Sequence, residues 1–144
     1  MSVLLDTHAL IWWLFDDPKL SANARRWIAE SEVVYVSAGS IFEIDDKRRQ
    51  IEQKRAEGRP ARKSGLWGDV FLKMPRNLPE ALPALGIELV DITPEVAWRA
   101  ARLPFKHSDP WDRIFVAHAV LLEVPLISCD RHLLEQAANT PIIW

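Results

Sequence analysis

The sequence predicts a three-layer α/β/α sandwich built on a short central parallel sheet. One observation is that short, wholly apolar runs of strand type recur between longer stretches of helical pattern: Val3-Leu4-Leu5, Val33-Val34-Tyr35-Val36 and Pro125-Leu126-Ile127-Ser128. Strands that are apolar at every position are buried on both faces, as in parallel sheets covered by helices. The other is length: 144 residues suit one domain, here expected to span residues 1–144.

Each element follows in order. Val3 to Leu5 reads as a buried strand ending at Asp6. Ala9 to Phe15 is strongly apolar and starts a helix, which Asp16-Asp17-Pro18 breaks. Ser21 is suited to cap a second helix through Glu30. The β-branched run Val33 to Val36 is a strand. Ser37 or Ser40 opens the next helix, which carries Ile41, Phe42 and Ile44 and then a basic stretch. Between Gly58 and Pro83, repeated prolines and two glycines predict loops around short helices. Ile87 to Ile92 is a strand, and Thr93-Pro94-Glu95 caps a helix through Arg102. After a loop from Leu103 to Asp109, Asp112 to Leu122 is a mostly apolar helix. The buried strand at Pro125 to Ser128 ends near Asp130, and Ile142-Ile143 forms a last short strand.

Composition narrows the function. Hydrophobic residues make up 49% of the chain and charged residues 26%, a globular balance rather than a disordered one. Cys129 is the only cysteine, which excludes an intrachain disulfide and a cysteine-rich zinc site and fits a reducing cytoplasm. The four histidines lack a zinc-binding spacing. Asp6 and His8 interrupt the apolar N-terminus before a signal peptide or membrane span could form, so a soluble, cytoplasmic protein is expected. Net charge is −2, yet Lys47 to Lys63 sums to +6 and leaves −8 on the rest. Such a segment can draw a polyanion towards an acidic site, or can simply be a solvated helix and loop.

Four carboxylates carry the chemistry. Ligands of parallel α/β sheets sit at the carboxyl ends of the strands. Asp6 ends the first strand, Asp130 follows the strand at Leu126-Ile127, Asp112 opens the helix before that strand, and Glu43 lies one turn into the helix after the second strand. Taken singly, Asp112 reads as a cap and Glu43 as an exposed helix residue. Asp6, following a fully apolar strand, is harder to explain without a partner, because buried carboxylates are paired or bound to metal. Brought to one edge, the four repel one another, and a hard cation such as Mg²⁺ or Mn²⁺ removes that cost. Such a site activates water and stabilises charge in phosphodiester hydrolysis.

Four segments in order then resemble the motifs of the PIN-domain family and, within it, the VapC-like toxins. Leu4-Leu5-Asp6-Thr7-His8-Ala9-Leu10-Ile11-Trp12-Trp13 is similar to the first motif, and Ser37-Ala38-Gly39-Ser40-Ile41-Phe42-Glu43-Ile44 to the second. His107-Ser108-Asp109-Pro110-Trp111-Asp112-Arg113-Ile114-Phe115-Val116-Ala117-His118-Ala119 resembles the third, and Leu126-Ile127-Ser128-Cys129-Asp130 the fourth. The resemblance spans nearly the whole chain. It implies a PIN-like fold and a Mg²⁺- or Mn²⁺-dependent endoribonuclease. Asp6, Glu43, Asp112 and Asp130 would be its catalytic and metal-binding residues. It further implies a homodimer and a small antitoxin partner whose tail blocks the site. Asp109 is expected to cap or support the site, and Arg113 to act structurally or on phosphate. Thr7 and Ser128 are either hydrogen-bond partners of the ligands or RNA, or ordinary strand-end hydroxyls.

The chain departs from the motif pattern at Asp45-Asp46-Lys47, where small or apolar residues usually precede a lysine. Asp46, three residues past Glu43, either joins the site or solvates the helix. Trp12, Trp13, Trp27 and Trp98 lie in apolar helical patterns and read as core or interface, although tryptophan can also stack bases. Cys129 reads as a small buried hydrophobe. Two rival functions differ in class. A nucleotide-binding phosphotransferase lacks its glycine-rich phosphate loops here, with five glycines in all. A degenerate PIN domain that only binds RNA or protein is disfavoured by the retention of all four acids.

Overall fold

The structure is a computed structural model that describes residues 1–59, 67–104, 106, 109–136 and 140–144. Strand β1 (Ser2–Leu5) leads into helix α1 (Thr7–Leu14), followed by α2 (Ala22–Glu30), β2 (Val33–Ser37) and the long α3 (Ala38–Ala56). Two short helices, α4 (Trp67–Lys73) and α5 (Leu78–Ala84), precede β3 (Ile87–Val90), α6 (Pro94–Arg102) and α7 (Pro110–Leu122). The chain closes with β4 (Leu126–Ile127), α8 (Arg131–Gln136) and β5 (Ile142–Ile143).

All five strands run parallel, in the order β3-β2-β1-β4-β5. The chain builds outward from β1 to β3 on one side, then crosses back to lay β4 and β5 on the other. The order therefore reverses between β1 and β4, and the crevice beyond their carboxyl ends is where such sheets bind ligands. The expected three layers are present. Val3 and Leu5 point to one face, with Leu10, Ile28, Ile44 and Leu82 of the helices covering it. Leu4 points to the other face, where Phe115, Val116 and Ala119 of α7 and Leu133 of α8 pack. Behind α7, Val96 and Ala100 bring α6 against Ala117. Alternation of side chains along β1 is the cause: a wholly apolar strand serves two cores at once.

The helix starts are set by side-chain caps. Ser21 accepts from the Ala24 amide, and Thr93 from Val96, as the sequence predicts. Ser37 rather than Ser40 opens α3, accepting from the Gly39 amide. Strand β3 stops at Val90, two residues before Ile92. Helix α7 begins at Pro110, ahead of the predicted Asp112, because Asp109 is its cap and accepts from the Trp111 amide at 2.9 Å. Among the described residues no helix is long and apolar enough to cross a membrane.

Two arginines hold helix ends in place. Arg48 of α3 is buried, 2% exposed. It donates to the carbonyls of Phe71 (3.2 Å), Met74 (3.0 Å) and Pro75 (2.9 Å), and to Asp45 at 3.3 Å. The guanidinium thus caps the carboxyl end of α4, where carbonyls lack helical partners and the dipole is negative. Arg113 does the same for α6, donating to the carbonyls of Ala100 (2.8 Å), Ala101 (3.2 Å) and Leu103 (2.8 Å). Of the two roles expected for Arg113, the structural one is seen. Further along the basic stretch, Arg49 pairs with Asp46, Arg55 with Asp69 and Arg59 with Glu57. Arg62 and Lys63 lie outside the described residues.

Candidate active site

Four separate elements bring their acids to one place. Asp6, Glu43, Asp109, Asp112 and Asp130 line a cavity of about 210 Å³, together with Thr7, His8, Phe115 and Cys129. All four acids singled out in the sequence are in this set, at the carboxyl edge near the β1–β4 crevice. Asp109 joins them while capping α7. His107 and Ser108 of the third motif lie outside the described residues.

Asp6 is the most constrained. Its amide donates to the Ile127 carbonyl of β4 at 3.1 Å, so the backbone is still paired where the side chain leaves the sheet. Its carboxylate caps α1, accepting from the Ala9 amide at 2.7 Å, and is 3% exposed. Burial raises its carboxyl above the ordinary value of 3.8, against the lowering effect of hydrogen bonds from the Ser128 hydroxyl and the Ala9 amide. The charge of His8 also lowers it, and that of Glu43 raises it. The remaining acids are less enclosed. Glu43 sits half-buried in the second turn of α3, Asp112 in the first turn of α7, and Asp130 just before α8, accepting from the His132 amide at 2.8 Å. Three helix N-termini therefore open onto the cavity beside Asp6, Asp112 and Asp130, and their partial positive charge favours carboxylates there.

Ser128 is an internal brace rather than a surface hydroxyl. It is buried, hydrogen-bonds Asp6, and accepts from the Asp130 amide at 3.2 Å. Thr7 lines the cavity and also has a structural bond. Its hydroxyl is buried and donates to Ser40 at 3.0 Å, linking α1 to α3. Asp46 does not reach the acidic cavity; Arg49 and Gln50 hold it at 2.6 and 2.7 Å and keep its carboxyl below the ordinary value. The hydrogen bond from Arg49 is the larger cause.

The donor set suits a hard divalent cation. The described lining supplies five carboxylates and no lysine or arginine. Burial pushes the Cys129 thiol up to about 11, and the neighbouring charges of Asp6, Asp130 and Asp112 add to the effect. The thiol therefore stays protonated at neutral pH, and apart from the His8 imidazole the available ligands are oxygens. Among the described residues no three acids already converge as a ready-made ligand cage.

Two buried features escaped the sequence reading. Arg48 was one more cation in a basic run, although Ile44, Arg48 and Ile51 share one helix face at spacings of four and three. His118 is 3% exposed, and its Nε2 lies 3.0 Å from the Asp91 carbonyl. Its signal was placement in the same apolar stretch as Phe115 and Ala119.

Comparison with known proteins places the chain in a family. The family model described as the PIN domain matches residues 3–64 and 74–139. Ribonuclease VapC22 of Mycobacterium tuberculosis is 30% identical over 99% of this chain and 98% of its own length. Among solved structures, VapBC2 of Rickettsia felis bound to a promoter DNA fragment is 12% identical, with a TM-score of 0.59, over 99% of this chain and 97% of that one. A toxin-antitoxin complex from Klebsiella pneumoniae is 18% identical, with the same TM-score, over 99% and 96%. At those identities the two structures speak for the fold. With both halves of the chain matched by the family model and a relative aligned end to end, the chain belongs to the PIN-domain family.

Proposed function

We propose that this protein is a Mg²⁺- or Mn²⁺-dependent endoribonuclease, a single catalytic domain that serves as the toxin of a cytoplasmic toxin–antitoxin pair. The observation that carries the reading is that Asp6, Glu43, Asp112 and Asp130, from four different elements, line one cavity rich in carboxylates. Similarity to a ribonuclease along the whole chain supports RNA as the substrate, and the toxin-antitoxin complexes among the fold neighbours support a small antitoxin partner. A homodimer is part of the same reading.

A divalent cation bound here supplies charge neutralisation at the phosphoryl oxygens and a lowered pKa for attacking water. The chain's own residues do the rest. Asp6 is held rigidly by the Ala9 amide and the Ser128 hydroxyl, so its carboxylate is presented to the cavity without loss of side-chain freedom on binding. Asp112, in the first turn of α7, would be the second principal metal ligand. Glu43 and Asp130 flank these two, as further ligands or as acceptors that orient the attacking water. Purified Asp6→Asn protein, folded but without cleavage activity, is the expected test result; undiminished cleavage removes the assignment.

A further inference from the structure

The geometry points to a base-stacking platform made by Phe42 and braced by Trp111, which takes an unpaired base of the RNA next to the phosphate being cut. This inference rests on the ribonuclease reading. Phe42 immediately precedes Glu43, and Trp111 immediately precedes Asp112, so each acid has an aromatic neighbour one residue away. The two rings meet at 5.4 Å between centroids, tilted by 36°. Phe42 is 58% exposed, so much of its side chain is open to a ligand.

The brace is built. Gly39 lies so close to Trp111 that a Cβ there would sit 2.9 Å from Cε3 of the indole, so the absence of a side chain lets the ring lie against α3. The Trp111 amide is fixed by Asp109. Phe42 therefore rests on a ring that cannot easily retreat.

Phe42 also lines a hollow of about 460 Å³, with Leu78 and Pro79 on its wall and Arg49 and Arg76 beside Asp45 and Asp46. Those arginines pair with Asp46 and Glu52 and are 65% and 73% exposed. Exposed pairs of this kind contribute at most about 1 kcal/mol, so a phosphate can displace the carboxylates at little cost. A strand running from the carboxylate cavity over Phe42 thus reaches a hollow that also offers guanidinium groups. An aromatic face with guanidinium groups beside it matches the base and phosphate of a single strand, which favours RNA as the occupant. The platform selects for unpaired nucleotides, since a base inside a duplex has no free face.

The experiment measures binding of a short single-stranded RNA, by fluorescence anisotropy, to full-length protein carrying Asp112→Asn so that the RNA stays intact. Adding Phe42→Leu, which keeps apolar bulk without a π face, is expected to raise Kd about tenfold, while Phe42→Tyr retains the affinity. RNA with the base removed beside the mapped cut should bind the parent as weakly as intact RNA binds Phe42→Leu, and should bind Phe42→Leu no more weakly still. Equal affinity of parent and Phe42→Leu for intact RNA overturns the platform, leaves the ribonuclease reading standing and gives this face to a protein partner. No RNA binding by the parent overturns the platform and the ribonuclease reading together.

Discussion

The hydroxyl of Thr7 donates to the hydroxyl of Ser40 across 3.0 Å in the protein interior. Thr7 follows Asp6, and Ser40 lies one helical turn before Glu43, so this one bond ties together the elements that carry two of the four acids. Ser40→Ala leaves the buried Thr7 hydroxyl without this partner and is expected to cost about 1–3 kcal/mol in denaturant unfolding. Adding Thr7→Val, which removes the stranded group, should recover part of that loss. Simple additivity of the two substitutions would mean the hydroxyls do not interact.

Arg48 is expected to matter more to the fold than any other cation of the basic run. Three carbonyls at the end of α4 depend on it. Arg48→Met leaves them poorly satisfied and should cost roughly 3 kcal/mol or more, whereas Arg49→Met, at an exposed pair, should cost less than about 1 kcal/mol. Equilibrium unfolding of the two variants gives the comparison.

Gly39→Ala drives a methyl into the indole of Trp111. Overpacking of this kind costs about 1–3 kcal/mol. Because Trp111 adjoins Asp112, a larger relative loss is expected in cleavage rate than in stability, read from initial rates on a defined RNA and from thermal unfolding of the same preparation.

His118 gives the fold a dependence on pH. Burial lowers its pKa below the ordinary 6.5, against the raising effect of the Asp91 carbonyl. The folded protein therefore holds the ring neutral at pH values where the unfolded chain already binds a proton. Stability is fully present above pH 6.5 and falls as pH drops from there through the folded value. Chemical unfolding at pH 7.5 and in steps below 6.5 should show this loss, and His118→Gln should reduce it.

The buried Asp6 carboxylate, close to the charge of Glu43, is a cost to the metal-free protein. Mg²⁺ or Mn²⁺ should raise the melting temperature, by about 2–4 °C for each kcal/mol of binding linkage in a chain of this size. Asp6→Asn keeps an effective helix cap, so in EDTA it should melt no lower than the parent, and its response to metal should be much reduced.

Much of this was legible in the sequence because its signals are one-dimensional. Wholly apolar strands declare a covered parallel sheet, and Ser21 and Thr93 declare helix starts. The acids that follow strand ends declare a crevice, because parallel topology places all such ends on one edge. What stayed hidden depends on direction across space. A run of cations does not tell which one turns inward, so Arg48 reads like Arg49 until α4 is laid beside α3. Thr7 and Ser40 are 33 residues apart, and nothing local pairs them. The ring contact between Phe42 and Trp111 likewise exists only because α3 and α7 approach each other at Gly39.

The most direct test of the central claim is cleavage of total RNA by purified, partner-free protein in Mg²⁺, Mn²⁺ or EDTA, beside Asp112→Asn. Discrete fragments that require both the metal and Asp112 are the predicted result, and their ends would name the target. Cleavage that persists in EDTA or in Asp112→Asn, or no cleavage by folded protein with either metal, would contradict it.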